Sequence, residues 1–169
     1  MGAGALNVKE PARAADLHHG KQVYAQVCAA CHGTNGLGQR AATGAGYQFP
    51  PLWGFDSYND GAGMARLLGA AAFIKHNMPI GTTYTAPVLS DEDAYDVAGF
   101  INSAERPQKP DLDKDFPNRL QKPVDTPYGP YVDGFGPAQH KLGPFEPIRA
   151  KLKELTAQSV PRQPLPQLP

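Results

Sequence analysis

The 169-residue chain is poor in three residue types: it has two cysteines, three methionines and one tryptophan. Two cysteines cannot build the disulfide framework of a small secreted domain, and they cannot complete a four-thiolate zinc site. Neither sign of charge is in excess, with 16 basic and 16 acidic residues. This argues against nucleic acid as a partner, because no surplus of Lys and Arg exists to neutralise phosphates. A polybasic membrane-surface segment is missing for the same reason. No apolar run approaches the roughly 20 residues that span a bilayer, so no transmembrane segment is expected.

What the chain does have is Cys28-Ala29-Ala30-Cys31-His32. This Cys-x-x-Cys-His run is the attachment signature of a c-type haem. Two thiols must add to two vinyl groups on one porphyrin edge, and positions 28 and 31 lie about one helical turn apart, on one face. His32 then follows as the proximal iron ligand. A zinc half-site would want further Cys or His at ligand spacing. A thioredoxin-like pair would want a βαβ pattern, and none is evident. Covalent haem of this kind is attached outside the cytoplasm in bacteria. Residues 1–16 lack the apolar core of a secretory leader, so the expectation is a periplasmic protein whose leader has been removed from this numbering.

Residues 13–31 read as one helix with Leu17, Val23, Val27 and Ala30 on its apolar stripe. Gly33, Gly36 and Gly38 end it. Residues 39–60, rich in Gly and Pro, read as a loop. Residues 62–76 read as a second helix, stopping before Pro79. After an extended loop, Ser90 caps a third helix that runs to about Ala104, with Asp91, Glu92 and Asp93 in its first turn. Thirteen of the 18 prolines follow residue 104. Phe116, Tyr128, Tyr131, Phe135 and Phe145 are spread through that stretch, which predicts an arm packed across the domain rather than a disordered tail. A short helix is expected at 147–157, with Pro147 at its first position. The tail, PRQPLPQLP, reads as polyproline II, a solvated linker ahead of a docking motif.

From about Leu17 to Ile101 the pattern resembles a class I cytochrome c. The expected fold is all-α: three to four helices around one covalent haem, with a long Pro-rich C-terminal arm. The expected divisions are a flexible N-terminus at 1–12, a haem domain at 13–106, a wrapping arm at 107–148, and a short helix with its tail at 149–169. Gly20 and Tyr24 against Tyr95 and Phe100 match the helix crossing of that family. The resemblance makes Met78, in Asn77-Met78-Pro79, the distal ligand and so implies His/Met ligation of haem c. A methionine in an extended loop can approach an open haem face, whereas Met64 lies on a helical stripe suited to core packing. His76 is the competing ligand, and His18, His19 and His140 read as surface residues. The family's proline carbonyl behind the proximal histidine is matched here to Pro51. Trp53, Tyr47 and Arg40 are candidates to reach the haem propionates.

The stretches FPPLWGFDSYNDGAGMARLLGAAAFIKHNMPIGTTY, PVLSDEDAYDVAGFINSAERP and KPVDTPYGPYVDGFGPAQHKLGPFEPI resemble the carboxy-terminal haem domain of bacterial thiosulfate dehydrogenases. Those enzymes couple two thiosulfates into tetrathionate. Their catalytic haem lies in another domain and has a cysteine as distal ligand. Here the haem motif takes both cysteines, so the resemblance carries over only the electron-exit domain. The expected function is single-electron transfer in the periplasm, alone or as the cytochrome subunit of a larger oxidoreductase, in the setting of sulfur-compound oxidation. The expected partners are redox proteins, with the arm and tail as candidate docking elements. The alternative is a single-haem thiosulfate dehydrogenase, for which Lys75, Arg66 and Arg40 would have to line an anion pocket.

Overall fold

A computed structural model describes residues 8–159. The expectations for residues 1–7 and for the polyproline tail lie outside the described residues. Helix α1 (Leu17–Val23) starts later than the apolar stripe alone predicts, because Asp16 caps it. The Asp16 carboxylate accepts from the His18 and His19 N–H groups at 2.9 and 3.0 Å, satisfying donors that a helix start leaves unpaired. The helical path continues as a π-turn over Tyr24–Cys28 and then as α2 (Ala29–His32). A two-stranded antiparallel hairpin, β1 (Gln39–Arg40) and β2 (Tyr47–Phe49), lies inside the stretch expected to be loop.

The helix expected at 62–76 is split. A 3-10 turn at Gly63–Ala65 is followed by Arg66 in an extended conformation, and α3 then runs Leu67–Asn77. Met64 therefore sits before α3 rather than on it. Helix α4 (Asp91–Ser103) opens with a capping box, in which the Ser90 hydroxyl accepts from the Asp93 N–H and the Asp93 carboxylate reaches back to Ser90.

Helices α1 and α3 both pack on α4. The core they enclose includes Tyr24, Leu67, Ala71, Tyr95, Val97 and Ala98. Gly20 allows the crossing: a Cβ there would overlap the Asp96 carbonyl and crowd the Phe100 Cβ. The Pro-rich arm closes the core from outside. Its Phe145 and Ile148 are fully buried. The Tyr95 hydroxyl bonds both to the Arg13 carbonyl and to that of Leu142. Two helices cover the end of the arm, α5 (Pro137–Leu142), which was not expected, and α6 (Glu146–Ser159). Helix α6 begins one residue before Pro147.

His140 corrects a sequence expectation. It is buried, not on the surface. Its Nδ1 lies 2.8 Å from the Val124 carbonyl, its Nε2 lies 3.1 Å from Asp133, and its ring stacks on Tyr131. All of these partners belong to the arm, and no local periodicity announces them.

Candidate functional site

The helix carrying the cysteine pair ends at His32, where Gly33 turns the chain with φ at 80°. The π-turn just upstream makes the Ala29 N–H bond to the Tyr24 carbonyl. Such single-turn insertions are frequent at functional sites. The Tyr24 hydroxyl donates to the Gly33 carbonyl at 2.6 Å, tying the helix to the turn that follows His32. Burial pushes that phenol up to about 12, with the nearby Cys28 adding to it. Burial also pushes the Cys28 thiol up to about 11, with Cys31 adding to it.

Cys28, Cys31 and His32 line a cavity of about 470 Å³ whose other walls include Pro51, Met64 and Met78. That volume falls within the range of cofactor sites. His32 is buried, and its Nδ1 lies 2.8 Å from the Pro50 carbonyl. A carbonyl only accepts, so Nδ1 donates this bond and Nε2 is the ring nitrogen not engaged in it. The acceptor is thus Pro50, not Pro51. Pro51 is itself buried and lines the cavity. In a Pro-Pro pair neither residue has an N–H, and the backbone turn alone selects which carbonyl faces the imidazole.

None of the three residues expected to reach propionates lines the cavity. Trp53 is outside the cavity lining. It packs on Tyr24 and edge-on to Phe100, at centroid distances of 5.1 and 5.8 Å. Gly36 makes room for it, since any Cβ there would overlap the indole. Tyr47 and Arg40 both bond to Asp56, at 2.6 and 2.8 Å, and the Arg40 guanidinium lies over the Tyr47 ring. Of these three residues, only Asp56 lines the cavity. His76 is not in the lining either. Its ring stacks on Tyr84.

Comparison with known proteins fits this geometry. The family model for cytochrome c matches residues 17–105. The chain belongs to the cytochrome c family. This cytochrome c is 55% identical over 105 residues to a thiosulfate dehydrogenase of Stutzerimonas stutzeri, covering 62% of this chain and 33% of that protein. It is 52% identical over 95 residues to the thiosulfate dehydrogenase of Allochromatium vinosum, covering 56% and 34%. The solved thiosulfate dehydrogenase (TsdBA) of Marichromatium purpuratum in its as-isolated form superposes with a TM-score of 0.56 at 44% identity, covering 64% of this chain and 22% of that one. The chain thus spans about a third of the length of the curated relatives it matches.

The cofactor of this cytochrome c is covalent haem c, and its two cysteines fit the Cys-x-x-Cys-His attachment. The described residues fit that group: a largely apolar cavity, two cysteines in its lining, and a buried imidazole held through Nδ1 by the Pro50 carbonyl. Among the described residues, no helix is long and apolar enough to cross a membrane.

Proposed function

We propose that this cytochrome c is a periplasmic single-electron carrier, acting alone or as the cytochrome subunit of a larger oxidoreductase, in sulfur-compound oxidation. The observation that carries the proposal is the Pro50–His32 hydrogen bond beside a largely apolar cavity. It fixes the imidazole tautomer and orientation, as an axial ligand requires. When bound, the haem supplies an iron that accepts and returns one electron. The chain's own part is to hold that group dry and rigid, so that little moves as the charge changes.

Met78 is the proposed distal ligand. It is the first residue beyond α3, in an extended backbone conformation, and its neighbours Pro79 and Ile80 also line the cavity. Met64 also lines it, but its carbonyl is pinned by the Asn102 amide at 3.0 Å. In the ferric spectrum, Met78→Ala is expected to lose the weak near-infrared sulfur-to-iron band and become high-spin, while Met64→Ala keeps the band. Survival of the band in Met78→Ala would remove Met78 from the ligand set.

A catalytic thiosulfate site on this chain has less support. Its three candidate cations are each spent on a carboxylate: Lys75 on Asp91, Arg66 on Asp125 and Arg40 on Asp56. Purified holoprotein mixed with thiosulfate and ferricyanide is expected to show no sustained tetrathionate formation. Steady turnover would replace the carrier reading with the enzyme one.

A further inference from the structure

A second cleft, of about 530 Å³, lies where the C-terminal end of α4 meets the arm, and Arg106, Lys141 and Asn102 are among its walls. Lys141 is half-buried, yet among the described residues it forms no ion pair and its ammonium donates no hydrogen bond. Burial pulls its pKa down first and the Arg106 charge pulls it down further, with no carboxylate opposing them. Arg106 also lacks an acid partner. It donates to the Leu52 and Ile101 carbonyls at 3.4 and 2.8 Å, and its guanidinium lies 4.4 Å from the Tyr58 ring centroid. Two cations therefore line one cleft, and among the described residues neither is paired with a carboxylate. Two acids do reach the walls. Asp60 accepts from the Lys109 N–H, and Glu105 is exposed, and neither pairs with either cation. The carbonyl end of α4 opposes an anion weakly, and Arg106 already covers Ile101 of that end.

We propose that this cleft binds a small tetrahedral oxyanion of the sulfate and phosphate type between Arg106 and Lys141. The planar guanidinium offers paired N–H donors to such an anion, and the ammonium offers a point charge. One hydrogen bond links the linings of the cleft and the haem cavity. Tyr58 lines the haem cavity, and its hydroxyl donates to Asn102 Oδ1 at 2.9 Å. Asn102 lines the cleft and bonds onward to the Met64 carbonyl. An anion held there adds negative charge near the iron site, so it lowers the reduction potential.

The test is isothermal calorimetry on the holoprotein with sodium sulfate, and separately with phosphate, at constant ionic strength and pH 7. One saturable site is expected for sulfate, with phosphate within tenfold of it. Binding is expected to weaken at least tenfold in Lys141→Gln, to survive in Lys141→Arg, and to be unchanged in Lys114→Gln, an exposed lysine elsewhere on the arm. Shifts of the Asn102 side-chain amide resonances on titration would place the anion at the cleft. Redox titration with sulfate is expected to lower the potential of the parent but not of Lys141→Gln. No saturable binding, equal binding in Lys141→Gln, or failure of phosphate to bind would overturn the proposal. The calorimetry does not depend on which residues ligate the iron, so it can fail while the electron-carrier reading stands.

Discussion

Gly20→Ala is expected to destabilise this cytochrome c, although the same change in an isolated helix would be favourable. Ala gains about 1 kcal/mol over Gly within a helix. Here the added methyl would overlap the Asp96 carbonyl of α4 and press on the Phe100 Cβ. Backbone cannot swing aside as a flexible side chain can, so α1 and α4 must separate. Overpacking at a rigid contact costs about 3 kcal/mol, which leaves a net loss of about 2 kcal/mol. For a chain of this size that corresponds to a fall in Tm of roughly 4–8 °C. Thermal unfolding of the holoprotein, followed by far-ultraviolet circular dichroism, measures it. A Gly20→Ala variant as stable as the parent would mean that the helices cross less closely than the geometry requires. Since α1 leads directly into the haem-binding turn, the variant should also weaken packing around Tyr24, whose ring lies 5.6 Å from that of Phe100.

This crossing was legible through the resemblance to class I cytochromes c, which sets a small residue on one helix against an aromatic on the other. The Cys28–His32 signature and the Ser90 cap were legible because their chemistry is local and lies within a few residues. Features set by backbone direction or by distant partners were not. Whether Pro50 or Pro51 turns its carbonyl toward His32 depends on the path of the loop, not on residue type. The burial of His140 depends on Asp133 and Val124 folding back over it. The π-turn before Cys28 leaves the apolar stripe intact, so periodicity could not reveal it. That Arg40 and Tyr47 share Asp56 as a hydrogen-bond partner was not legible either, because it depends on where the chain brings that carboxylate. A general reading of such cationic and phenolic groups needs the carboxylates that compete for them.

The other face of the same crossing yields a prediction that depends on pH. The Asp96 side chain is fully buried. Its carboxylate accepts two bonds from Arg13, at 2.7 and 2.9 Å, one from the Asp16 N–H at 2.9 Å, and faces His19 Nδ1 at 2.8 Å. Burial by itself would raise its pKa, but the bonds from Arg13, His19 and Asp16 outweigh burial and hold it below the usual carboxylate value. His19 is shifted the other way, raised first by its hydrogen bond to Asp96 and then by the charges of Asp96 and Asp93. Breaking a buried pair costs about 3–5 kcal/mol. Arg13 and His19 are 41% and 38% exposed and can partly rehydrate, so Asp96→Ala is expected to cost about 3 kcal/mol near pH 6. The Asp96 contribution is fully present above its unfolded value of about 3.9 and fades as pH falls through its depressed folded value. The His19 contribution is fully present below about 6.5 and fades as pH rises through its raised folded value. The penalty of Asp96→Ala should therefore peak between those limits, shrink in acid, and decline in part above neutrality, where Arg13 and the Asp16 N–H still need their acceptor. His19→Gln should lose only the alkaline-sensitive part, destabilising at pH 6 and much less at pH 9. Urea unfolding of parent and variants across pH 3–9 separates the two. A penalty for Asp96→Ala that stays flat with pH would show that the carboxylate's role at the crossing is packing rather than charge.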